Sequence, residues 1–202
     1  MSRTPAATGV SDHYGLAVLV TVALDGGTPL VIDRREIALR DPHLPGSPYH
    51  HDTLAMPAAE ADALLRACRA AADRLAETGL KALMDGLGGT YEPLGLSMRP
   101  PPLPHLPQTA AEAHADYRVQ CAADGMLYHH AVAQAAGRLG LPVRFHQRRT
   151  EIADAAAAGG TTLQAMQDWL KQEGKRLGPP WRADEKTAAA SALAMLHAAI
   201  AH

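Results

Sequence analysis

The chain is poor in aromatic residues and sulfur, and it has no excess of charge of either sign. Of its 202 residues only 4% are aromatic, with Phe145 the single phenylalanine, so alanine, leucine and valine must fill the core. Two cysteines, Cys68 and Cys121, fall in segments that read as helix and have no CxxC spacing. This argues against a disulfide framework or a zinc knuckle and leaves two reduced core thiols. Nineteen Lys and Arg against 21 Asp and Glu give a net charge of -2 and a pI near 6.6. A constitutively basic nucleic-acid binder is thereby excluded, while local basic patches remain open. No run of about 18 apolar residues occurs, so no membrane span is expected. Met1 to Thr8 lacks an apolar core of signal-peptide length, and the expected location is cytoplasmic.

What is present reads as one α/β domain over 9–202, preceded by a disordered N-terminus at 1–8. Gly9 to Arg40 predicts three antiparallel strands. Leu16 to Leu24 is a near-continuous apolar run, which predicts a strand buried on both faces, and Asp25-Gly26-Gly27-Thr28 is a turn. Leu30 to Leu39 alternates apolar and charged residues, as an edge strand with one wet face does. The loop from Asp41 to Asp52 is too rich in Pro and Gly for regular structure. Pro57 then marks the first turn of a long helix reaching about Leu83, and Tyr91 to Met98 is a fourth strand. Prolines 100, 101, 102, 104 and 107 make a rigid extended spacer.

Thr109 and Glu112 are spaced as a capping box for a helix starting at Ala110 and running to Gly137, with a break near Gly125. Leu141 to His146 is a fifth strand, and Thr162 to Leu177 and Ala183 to Ile200 are the last helices. Right-handed crossovers after the third strand give a five-stranded mixed sheet of order 3-2-1-4-5 with helices on both faces.

That order, together with three local patterns, resembles the ribonuclease H-like fold and its RuvC-type Holliday-junction-resolvase branch. Gly9-Val10-Ser11-Asp12 followed by Gly15-Leu16-Ala17-Val18-Leu19 is similar to the family's first strand, acidic residue and turn. Ala122 to Val143 is similar to its helix leading into strand five, and Asp184-Glu185-Lys186-Thr187 to its acidic opening of an alanine-rich last helix. The resemblance implies carboxylates that hold two divalent metals, Mg²⁺ or Mn²⁺, to activate water for phosphodiester cleavage. By position Asp12 and Asp184 match two of those acids, with Glu185 a substitute for a third. The sequence departs from the pattern at Ser97-Met98-Arg99, where the family carries a glutamate, and at Thr187, one turn after Asp184.

The histidines add a second chemistry. His13 adjoins Asp12, and Tyr49-His50-His51-Asp52 lies in the loop after strand three. Imidazoles beside a carboxylate bind metals or move protons near neutral pH. The expected site is therefore Asp12, Asp184 and His51 in catalysis, with Asp12, Asp184, Glu185, His13 and His50 as metal ligands. His129 and His130, adjacent in mid-helix, diverge and read as structural. Arg144, Arg148, Arg149, Lys171, Lys175, Arg176 and Arg182 form the local basic excess, which either meets phosphates or is a solvated face. Trp181 and Trp169 read as core.

Three functions fit these observations. The first is a metal-dependent protein acting on structured nucleic acid. The second is a non-catalytic relative that kept the scaffold as an interaction module, binding a protein partner or forming a homodimer. The third is a histidine-carboxylate metalloenzyme acting on small molecules.

Overall fold

A computed structural model describes residues 3–200. Five strands form one sheet in the order β3-β2-β1-β4-β5, with β1 (Thr4–His13), β2 (Leu16–Asp25), β3 (Thr28–Ala38), β4 (Tyr91–Met98) and β5 (Val143–Phe145). β1 runs antiparallel to β2, and β2 to β3, whereas β4 and β5 are parallel to β1 and to each other respectively. This is the expected α/β architecture of order 3-2-1-4-5. The apolar run of β2 is buried along nearly its whole length, and β3 is the half-wet edge.

Helices cover both faces. On one lie α1 (Ala58–Leu87), α2 (Ala110–His114) and α3 (Tyr117–Arg138); on the other lie α4 (Glu151–Ala158), α5 (Leu163–Leu177) and α6 (Ala183–Ile200). Each face has its own apolar cluster, one built on Leu19, Leu65, Leu80 and Leu127, the other on Val20, Val22, Leu193 and Leu196. Alanine lets these layers approach closely. Gly9 of β1 lies so near α6 that a Cβ there would stand 1.8 Å from the Ala188 carbonyl oxygen. That contact seats the N-terminal end of α6 beside the C-terminal end of β1.

Four expectations need correction. Residues 4–8, expected to be disordered, are the first half of β1. Ala6 and Ala7 are fully buried, and the Thr8 and Thr21 hydroxyls bond at 2.9 Å in the interior. Small side chains under two helix layers carry little hydrophobic signal, which is why the strand reads weakly. Met1 and Ser2 lie outside the described residues.

The loop from Asp41 to Asp52 contains one π-helical turn, Pro48–Asp52. The helix break falls at Ala115, not Gly125, because Asp116 caps α3 by accepting from the Arg118 and Val119 amides. Finally, α4 forms from an alanine-rich segment whose sequence pattern predicts no element.

α5 covers the edge strand. The buried Glu173 carboxylate accepts the Val31 amide at 2.8 Å, Arg176 donates to the Val31 carbonyl, and Arg34 donates to the Gly178 and Pro180 carbonyls. The Val31 amide and carbonyl, on the open side of the edge strand, are thus satisfied by side chains.

Candidate functional site

The C-terminal ends of the parallel strands open into a groove of about 500 Å³. Such crevices are where open α/β sheets place ligands. β1 contributes Ser11, Asp12 and His13; Arg99 follows β4 directly; His146 follows β5; Arg148, Arg149 and Glu151 come from the turn into α4. α6 adds Asp184 and Thr187, and α3 supplies the small residues Ala122 and Gly125. The chain ends thus bring Asp12 and Asp184 to one groove.

Asp12 is the most constrained of these groups. Its side chain is 1% exposed, and Arg99 grips both its oxygens, Nη2 to Oδ2 at 2.9 Å and Nε to Oδ1 at 3.2 Å. The His129 Nδ1 lies 3.4 Å from Oδ1. Burial pushes the Asp12 pKa up, but the His129 and Arg99 hydrogen bonds outweigh it and hold the carboxyl at about 2. The second imidazole nitrogen of His129 is buried without a partner, and its ring stacks on Phe145 with centroids 6.2 Å apart. Phe145 itself is 55% exposed at the groove end of β5.

Asp184 forms a separate cluster. Its Oδ1 accepts from the Ser11 hydroxyl at 3.0 Å and lies 3.0 Å from His13 Nε2. Hydroxyl and imidazole converge on one carboxylate oxygen, so the carboxylate does not orient the far ring nitrogen and no serine-histidine-aspartate relay is built. On the opposite wall, His146 Nδ1 is 3.2 Å from the Ser97 hydroxyl and Nε2 is 3.6 Å from Glu151. Burial pushes the His146 pKa down, against the pull of Glu151 and Asp154.

The remaining expected residues lie elsewhere. Glu185 is buried and accepts the Arg182 amide at 2.7 Å, so it caps α6; adjacent helix positions point about 100° apart, which turns it from the groove. His50 and His51 do not line the groove. The buried Asp124 carboxylate accepts the Tyr49 amide at 2.8 Å and draws their turn onto α3, leaving His51 exposed and His50 beside Cys121 Sγ at 3.9 Å. Burial pushes the Asp124 pKa up to about 6. Cys121 is half-buried on the groove wall, whereas Cys68 is in the core as expected.

Two groups outside the expected site residues are central. Arg99 is the residue standing where the resemblance calls for an acid; a cation there, opposite the strand-one aspartate, is a readable complement. His129 shares one helix face with Ala122 and Gly125, at spacings of three and four residues, and that small-residue face was its signal.

The donor set does not fit a divalent metal. Such ions need several carboxylate oxygens converging on one point. Here both Asp12 oxygens face a guanidinium, Asp184 is engaged by Ser11 and His13, and Glu185 caps a helix. Among the described residues no group of three or more His, Cys, Asp or Glu side chains has metal-holding geometry. No helix among the described residues is long and apolar enough to cross a membrane.

The fold is ribonuclease H-like. Solved structures similar to it include Thermus thermophilus RuvC in complex with a Holliday junction substrate, at 15% identity and a TM-score of 0.50, covering 97% of this chain and 95% of that one. A second structure of Thermus thermophilus RuvC is equally similar, at 15% identity and a TM-score of 0.50, covering 96% of this chain and 94% of that one. The likeness therefore runs over nearly the full chain and establishes the RuvC-like fold. No protein-family model and no curated protein matches the sequence.

Proposed function

We propose that this chain binds structured nucleic acid in the groove at the strand ends, holding phosphates with its own arginines and without a divalent metal. The observation that carries this reading is the Arg99 guanidinium seated on the buried Asp12 carboxylate. In the groove Arg99, Arg148 and Arg149 balance Asp12, Glu151 and Asp184, so the lining can accept a phosphodiester without added cations. Exposed Phe145 and Tyr14 offer ring faces on which an unpaired base can stack. RuvC in complex with a Holliday junction supports a branched substrate by analogy of fold.

The test pairs four-way-junction binding in EDTA with calorimetric titration of Mn²⁺. Junction binding that EDTA leaves unchanged, with no Mn²⁺ uptake and no cleavage, is expected. Substitution of Arg148 and Arg149 by Gln should weaken binding by on the order of tenfold, since two phosphate contacts are lost. Manganese-dependent cleavage that Asp12→Asn abolishes would overturn the reading.

A second reading is favoured by Asp12 and Asp184 lining one groove: cleavage with Mg²⁺ or Mn²⁺ once Arg99, 29% exposed, has swung away. It predicts that Arg99→Ser creates Mn²⁺ binding and nuclease activity, whereas under the first reading this substitution weakens junction binding and creates neither.

A further inference from the structure

A second cavity, of about 520 Å³, lies beside the groove and differs from it in charge. Its floor is apolar, made by Ile152 of α4, Leu170 of α5 and the half-buried Trp181. Its cations are three exposed lysines, Lys171, Lys175 and Lys186, and no acidic side chain lines it. Among the described residues the lysine found in an ion pair is Lys81, far along α1, so these three ammonium groups have no carboxylate partner. The indole is fixed in place. Its N–H donates to the Leu170 carbonyl at 2.7 Å, and it packs so closely on Gly174 that a Cβ there would lie 2.3 Å from the ring.

Neighbouring residues of α4 and α6 line the two cavities. Glu151 lines the groove and Ile152 the second cavity; Thr187 lines the groove and Lys186 the second cavity. A strand leaving the groove over the N-terminal turns of α4 and α6 enters a space that is cationic at its rim and aromatic at its floor. Phosphate outside and base inside is the chemistry such a space selects.

We propose that this cavity is a second nucleic-acid subsite, in which Lys171, Lys175 and Lys186 hold phosphates of the strand leaving the groove and the Trp181 ring contacts a base. This rests on the groove reading above and extends it to a substrate longer than the groove alone could hold. The groove lining is balanced in charge, so much of the electrostatic attraction for the strand comes from this second site.

The test measures four-way-junction affinity against salt for the full chain and for the triple variant Lys171→Gln, Lys175→Gln, Lys186→Gln. All three positions are exposed, so the fold is expected to persist. The slope of log affinity on log salt should fall in magnitude by about 2 to 3, and affinity at about 0.1 M salt by on the order of 100-fold. In a Trp169→Phe background, junction addition should quench or shift the emission of Trp181. An unchanged slope with unchanged Trp181 emission, in a chain that still binds the junction, would overturn this inference alone. No junction binding by the wild type would overturn it together with the groove reading. Wild-type binding to phosphatidylserine vesicles that the triple variant loses, with junction binding intact, would overturn it in favour of a lipid surface.

Discussion

Two buried aspartates pull the pH dependence of stability in opposite directions. Asp12 titrates at about 2 in the folded chain, below its ordinary value, so its contribution is present above about pH 4 and is lost as pH falls through 2. Asp124 titrates at about 6, above its ordinary value, because burial outweighs the amides it accepts. The folded chain therefore takes up that proton first, and stability rises as pH falls from about 7 towards 4. Urea unfolding at pH 7 and pH 5 separates the two. Asp12→Asn should lose roughly 2 kcal/mol at both values, since a lowered carboxylate pKa is a stability term of that order. Asp124→Asn should flatten the rise between them. An Asp12→Asn variant as stable as wild type would mean that the Arg99 pair contributes nothing net, as buried ion pairs sometimes do.

At the scale of elements, the site depends on how closely α6 approaches β1. Gly9 permits that approach, and Gly9→Ala drives a methyl into the Ala188 carbonyl. Backbone cannot yield as a flexible side chain does, so a loss at or above the 1–3 kcal/mol usual for overpacking is expected. Thermal unfolding would measure it, and an unchanged midpoint would show that α6 shifts freely. The resolvase-like pattern around Gly9 to Asp12 was legible because it combines a small residue, an apolar strand and an acid in fixed order. The order 3-2-1-4-5 and the boundaries of β4 and α6 were legible too, since turn and proline signals flank them. Residues 4–8 and α4 were not, because alanine and threonine fit strand, helix and coil with little preference by pattern alone. That Asp12 and Asp184 meet in one groove was legible from the sequence, but the partners of Asp12 were not. Arg99 and His129 reach Asp12 from different elements, 87 and 117 residues away in the chain, and nothing local to either marks that meeting. His50, His51 and Glu185 fall outside the groove for a related reason, since Asp124 draws the turn carrying the two histidines onto α3 and Glu185 caps α6, neither of which the sequence displays.

Taken whole, the molecule is a sheet with a covered centre and unequal margins. β1 and β2 carry helices on both faces, whereas β5 is three residues long and leaves Phe145 exposed next to the groove-lining His146. Native-state hydrogen exchange should find the slowest amides in β1, β2 and α6, opening only with global unfolding, and the fastest structured amides in β5 and α4. Protection in β5 equal to that in β1 would contradict this. At the other margin, α5 satisfies the Val31 amide and carbonyl of β3, so the sheet presents a less open edge to other chains.

The Arg99 guanidinium on Asp12 has one more consequence. A metal in that position is a dissociable component, set by supply and removed by a chelator; Arg99 is a counterion tethered to the chain. Its local concentration is fixed by β4, so on the metal-free reading proposed above the charge of the groove does not follow the magnesium level.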